Sequence, residues 1–298
     1  MIKQDQRIPD FFVVGAAKSG TTSLWNWLKQ HPAVFVAPNL EDKEPAYYSE
    51  CWGMKDRSRY LNLFSAACSK QQIGDFSTPY LTDLDSAALI AKDNPMAKII
   101  ILIRNPVDRA YSLYNWMLNN GYESLYPFEK ALEAEASRMV GDQFQPEIGY
   151  SHNFFYFHSG LYTSQIEAYK AQFNDGQIKV LLLDDMILDR KGVMNDICKF
   201  LDIDTEFVPK MEAKNRGGVP WIPTLQHKLR IKARNCSGWE KAVGIRFFLI
   251  CLMRLNAGRR GNPRLASQTR KDLLFRYQEE VKSLEVLINR DLDVWKRG

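Results

Sequence analysis

Short runs of consecutive apolar residues alternate along this chain with segments whose apolar positions recur every three to four residues. Residues 11–14, Phe-Phe-Val-Val, end at Gly15 and read as a buried strand. Residues 21–30 follow with Leu24, Trp25 and Leu28 at helical spacing, and Pro32 lies just beyond. Residues 33–36 form a weaker strand candidate, 57–67 a helix, 73–76 a strand and 86–92 a helix. The run Lys98–Ile103 is β-branched, continuous and apolar, as in parallel strands covered on both faces. Residues 106–117 read as a helix with Pro106 in its first turn. Helices at 128–139 and 162–173, a strand at 178–183 and a helix at 193–201 complete the alternation. It predicts an α/β fold with a central parallel sheet and helices on both faces.

Residues 215–223 hold two glycines and two prolines and read as a loop. In the segment beyond it, Lys228, Arg230, Lys232 and Arg234 alternate with apolar residues, which fits a strand with one basic face or a helix with its charges spread. Leu273, Leu274, Tyr277, Val281, Leu284, Leu287 and Ile288 repeat near 3.6 and predict a final helix. The C-terminal region is therefore a mainly helical extension.

Composition narrows the class. The 298 residues suffice for one large domain, and 45% hydrophobic with 25% charged residues excludes a disordered chain. We expect a single domain, with a core over residues 8–220 and the basic extension over 221–298. Five scattered cysteines without CxxC spacing argue against a disulfide framework or a zinc site and fit a reducing, cytoplasmic setting. No signal peptide is visible, and the apolar stretch 247–253 is too short to span a bilayer. The net charge of +5 is uneven: residues 214–271 carry 14 Lys/Arg against one acid, Glu240. Nucleotide phosphates, an acidic acceptor or an anionic membrane surface are candidate partners for this region, a solvated basic face being the alternative. No nucleic-acid partner is expected.

Candidate chemistry centres on residues 15–22, Gly-Ala-Ala-Lys-Ser-Gly-Thr-Thr, between a predicted strand and a predicted helix. Glycines there let successive N–H groups and the helix N-terminus face an anion, while Lys18 adds charge and Thr21 and Thr22 add hydroxyls. The loop departs from the Walker pattern, in which lysine follows the second glycine. The strand Lys98–Ile103 runs into Arg104, where a nucleotide–magnesium site would carry an acid. The pattern suggests a phosphorylated donor used without metal, and a P-loop-type three-layer fold. Arg104 is placed at the end of its strand, where open α/β sheets bind ligands, and Ser112 follows two turns into the next helix. A guanidinium fork and a hydroxyl on one anion make a monophosphate site.

Together these motifs resemble the sulfotransferases that use 3′-phosphoadenosine 5′-phosphosulfate (PAPS), in the branch of heparan-sulfate sulfotransferase domains and bacterial relatives. The likeness spans about residues 8–220. It implies that Ala17, Lys18, Ser19, Gly20, Thr21, Thr22 and Ser23 cradle the 5′-phosphosulfate, and that Arg104 and Ser112 hold the 3′-phosphate. Lys43-Glu44-Pro45, Pro79-Tyr80-Leu81 and Gly160-Leu161-Tyr162 are further matching pieces. Lys18 would stabilise the leaving phosphate and Glu44 would be the acceptor's base, with Glu41 a nearby rival. Arg216 and Gly217 are candidates for a loop over the nucleotide. The implied reaction moves a sulfuryl group to a hydroxyl or amine of a glycan, lipid or small molecule. Phe76 stands near where relatives acting on heparan carry a lysine, which removes support for a sulfated-polysaccharide acceptor. His152, His158, Trp25 and Trp27 are expected to pack rather than bind. Two other readings stay open: a kinase with an altered Walker motif, and a non-catalytic binder of anionic glycans or lipids.

Overall fold

The computed structural model describes residues 7–141, 150–210, 218–257 and 263–296. Five strands form one sheet: β1 (Phe11–Gly15), β2 (Val34–Val36), β3 (Gln72–Phe76), β4 (Lys98–Ile103) and β5 (Ile178–Leu182). Their order is β2-β3-β1-β4-β5, and every pairing is parallel. Every residue of β1 is buried, as is β4 beyond Lys98, which is why both read as unbroken apolar runs.

The chain groups into two compact units. The first comprises residues 1–105, 161–214 and 282–291 and contains the whole sheet. Its core packs Phe11, Val13, Leu24, Trp25, Trp27, Phe76, Ile100 and Leu102 with Ile197 and Leu201 of the helix Arg190–Leu201. Both tryptophans lie in this core, as expected. The second unit comprises residues 106–160, 215–281 and 292–298 and is helical among its described residues.

Several boundaries differ from expectation. The helix over 128–139 divides into Phe128–Glu133 and Glu135–Met139. The final helix is two segments, Ser267–Arg276 and Gln278–Ile288, that meet at Tyr277. Tyr277 donates its hydroxyl to the Phe157 carbonyl at 2.6 Å and stacks on the Phe157 ring. The ambiguous stretch at 228–234 is helix, within Pro223–Arg234. His158 bonds the Glu135 carboxylate at 2.7 Å and His152 stacks on Tyr150, so both histidines pack as expected.

Because all strands are parallel, their C-terminal ends share one edge of the sheet. β1 is the strand at which the connections change direction, since β2 and β3 lie to one side of it and β4 and β5 to the other. Ligands of open α/β sheets bind outside the carboxyl ends of strands at such a switch point. The residues that follow β1, β2, β3 and β4 therefore meet at this edge.

Candidate active site

The loop after β1 turns on two glycines. Gly15 has φ 156°, and a Cβ there would lie 2.6 Å from Leu81 Cβ. Gly20, at φ 99°, begins the helix Thr21–Leu28, and a Cβ on it would lie 2.9 Å from Leu183 Cδ1. No side chain caps this helix, so the amide groups of its first turn are presented to the loop. Lys18 adopts φ 69°, a left-handed conformation that costs a non-glycine residue of the order of 1–3 kcal/mol. The Ser19 hydroxyl is fully buried and has no hydrogen-bond partner among the described residues, which leaves it to a bound group. Thr21 is buried; Ala17, Thr22 and Ser23 are half-buried.

Three charged residues converge on this loop. Burial, with the Arg104 guanidinium second, draws the Lys18 ammonium down from 10.5 to about 8, and the Glu44 carboxylate opposes the shift. Arg104 and Glu44 thus both act on Lys18 although they lie 86 and 26 residues from it in sequence. Arg104 Nη1 lies 3.5 Å from the Lys18 carbonyl oxygen, and Tyr162 donates its hydroxyl to the Arg104 carbonyl at 3.0 Å, fixing the chain where β4 ends.

Glu44 is held from two directions. Its Oε1 accepts from Lys43 Nζ at 2.8 Å, and its Oε2 from the Thr78 hydroxyl at 2.9 Å. Lys43 is buried, so this ion pair is shielded from solvent on the lysine side. Glu41, the rival base, is exposed. Phe76 packs edge-on against Phe11 in the core, with ring centroids 6.1 Å apart. It offers nothing to an acceptor, and the position after β3 that faces Glu44 is Thr78.

Beneath Glu44 lies a buried cluster that sequence reasoning missed. Asp75 accepts from the hydroxyls of Tyr60, Tyr80 and Ser77 at 2.9, 2.8 and 2.6 Å. Ser77 Oγ in turn accepts from Ala46 N at 3.0 Å, tying the segment after Glu44 to β3. Asp83 accepts from Ser49 Oγ and Glu50 N at 2.7 and 2.9 Å farther along the same loop. Full burial raises the Asp75 carboxyl from 3.8 to about 6, although its three hydroxyl donors pull the other way. The folded protein therefore holds this proton more tightly than the unfolded chain does. Asp75 subtracts from stability as pH climbs from 3.8 to about 6. For Asp75→Asn we expect that pH-dependent decline to vanish, and stability at pH 7 to fall by about 1–3 kcal/mol because an amide cannot accept from all three hydroxyls. Chemical denaturation across this pH range checks both; an unchanged pH slope would refute the assignment.

Ser112 lies half-buried in the helix Pro106–Asn119, in the second unit. Arg216 and Gly217 lie outside the described residues.

A glycine loop carrying Lys18, Arg104 at the end of β4 and Glu44 held by Lys43 and Thr78 define the arrangement. Residues 8–215 match the family model of the sulfotransferase domain. The chain belongs to the sulfotransferase family. Among solved structures, a sulfotransferase from Alicyclobacillus acidocaldarius is 27% identical and superposes with a TM-score of 0.74, covering 98% of this chain and 100% of that one. Membrane-associated sulfotransferase kil1 of Dictyostelium discoideum is 29% identical over 136 residues, 43% of this chain and 28% of that protein. The human bifunctional heparan sulfate N-deacetylase/N-sulfotransferase 2 is 26% identical over 213 residues, 67% of this chain and 23% of that protein. This sulfotransferase-family chain thus spans about a quarter of the length of the curated relatives it matches.

Proposed function

We propose that this chain transfers a sulfuryl group from PAPS to a hydroxyl or amine of a glycan, lipid or small-molecule acceptor, leaving adenosine 3′,5′-bisphosphate. The observation that carries the reading is the meeting of Arg104 and Glu44 with Lys18 at the carboxyl edge of the sheet, where Arg104 Nη1 lies 3.5 Å from the Lys18 carbonyl oxygen and both charges act on the Lys18 ammonium. The family match runs through residues of both compact units, and we read the chain as one sulfotransferase domain acting in the cytoplasm.

The residues fit the donor. Gly15 and Gly20 let the loop pack against Leu81 and Leu183 where a Cβ would clash, and the Ser19 hydroxyl, buried without a partner among the described residues, supplies a donor inside the loop. In the reaction the acceptor oxygen attacks sulfur as the bond from sulfur to the 5′-phosphate oxygen breaks. Glu44 takes the acceptor's proton, and the Lys18 ammonium meets the negative charge gathering on the departing phosphate. Interactions made mainly with that developing charge raise turnover rather than substrate affinity. Arg104 takes the donor's 3′-phosphate; the assignment of Ser112 to the same phosphate, and of Arg216 and Gly217 to a covering loop, rests on the sequence motifs. The scheme routes no step through a metal.

Adenosine 3′,5′-bisphosphate with EDTA should raise the melting temperature, with stabilisation of about 2.7 kcal/mol at a hundredfold excess over Kd. Arg104→Ala should weaken the bisphosphate by about 10- to 100-fold, the worth of a hydrogen bond to a charged group. Stabilisation by Mg-ATP with no response to the bisphosphate would replace this reading with a kinase. Wild-type donor affinity in Arg104→Ala would remove the 3′-phosphate assignment.

A further inference from the structure

The helix Ile245–Asn256 is apolar almost all round, its polar residues being Arg246, Arg254 and Asn256, yet none of its residues is buried. A helix with that composition ordinarily lies inside protein or in lipid. Phe247 is 69% exposed, Phe248 61% and Leu255 74%. At 100° per residue, Phe247, Cys251, Leu255 and Phe248 fall in one stripe, and the exposed Arg246 and Arg254 border it along one side. The stripe continues past the helix end. Trp221 N bonds the Asn256 carbonyl at 2.9 Å, and the Asn256 side chain bonds both Ile222 N and Ile222 O. This brings the exposed Trp221 and Ile222 beside Leu255.

Charge chooses the occupant. Lys228, Arg234 and Lys241, on the two helical segments before it, are exposed as well. The one acid of residues 214–271, Glu240, is already engaged by Lys232 Nζ at 2.8 Å and by Ser237 N at 2.7 Å. The surroundings of the stripe thus carry cations with no acid of the segment left to balance them. A second copy of the chain docking through the same face would set two such cationic patches against each other. Twelve residues of helix reach about 18 Å, short of the ~30 Å hydrocarbon core, so the segment cannot cross a bilayer. We propose that the helix Ile245–Asn256 lies in the plane of an anionic lipid surface, its aromatic and aliphatic stripe in the acyl boundary and its arginines on the headgroups. The proposal does not depend on the sulfuryl-transfer reading.

Vesicle flotation tests it with the full chain, using phosphatidylcholine vesicles and phosphatidylcholine vesicles containing phosphatidylglycerol. The protein should float with the anionic vesicles and weakly or not at all with the neutral ones, and added salt should release it. Arg246→Gln with Arg254→Gln should lower binding about thirtyfold, at roughly fivefold per charge near the surface. Phe247→Gln with Phe248→Gln should lower it at least as much. Both pairs lie on the surface, and an unchanged melting temperature establishes that they fold. Absence of binding to either vesicle overturns the proposal, as does equal binding to both. Self-association abolished by the phenylalanine pair, with no vesicle binding, would assign the stripe to a second copy instead.

Discussion

Lys18→Ala should lower turnover by about 10²–10³-fold while leaving donor affinity much less affected, the loss typical when one stabiliser of developing charge is removed. The expectation follows from where the lysine sits. Burial first and the Arg104 charge second bring its ammonium down to about 8. A cation kept partly desolvated gains most when a negative charge grows beside it. The same position predicts a pH dependence. With the folded value near 8, the free enzyme loses this positive charge as pH rises through 8, so kcat/KM for the donor should fall on the alkaline side with an apparent pKa near 8. Lys18→Arg should retain part of the activity and move that limb to higher pH, since a guanidinium stays charged. Steady-state kinetics from pH 6 to 10 check both, and an alkaline limb that survives Lys18→Ala unchanged would assign it to another group. Ligand binding and biological effect both preserved in Lys18→Ala would favour the non-catalytic reading.

The phosphate loop was legible because its signals are local. Apolar residues before Gly15, helical spacing after Gly20 and a lysine between them lie within a dozen positions, and the parallel sheet follows from the alternation around them. Arg104 was legible for the same reason, at the end of the plainest strand in the chain. Thr78 was not. Its role is a hydrogen bond to Glu44, 34 residues away, and a threonine before a proline carries no mark of that. Asp75 was hidden as a single polar residue inside a short strand, between Gly74 and Phe76; its meaning lies in Tyr60, Tyr80 and Ser77, which only the fold assembles. The break at Tyr277 was invisible because the apolar period runs through it undisturbed. The stretch 228–234 satisfied both a two-residue and a helical period, and packing of Gln226 and Ala233 on one face decides for helix.

Glu44→Gln should reduce kcat by about 10²–10⁴-fold, the usual contribution of a positioned general base. The side chain keeps its size but loses the oxygen able to take the acceptor's proton. Position matters as much as basicity here. Lys43 and Thr78 hold the two carboxylate oxygens at 2.8 and 2.9 Å, so the carboxylate is fixed in one orientation, with lone pairs left over to take a proton. Thr78→Val should therefore cost about tenfold in kcat with little change in KM, because the base remains but one of its two supports is gone. Glu41→Gln gives the contrast: its exposed carboxylate has no such support, and its activity should stay near wild type. An inactive Glu41→Gln beside an active Glu44→Gln would transfer the role to Glu41. If Thr78→Val lost activity only through a lower melting temperature, the hydroxyl would be structural. A kcat loss at unchanged melting temperature and unchanged bisphosphate affinity would establish that Thr78 acts through the orientation of Glu44.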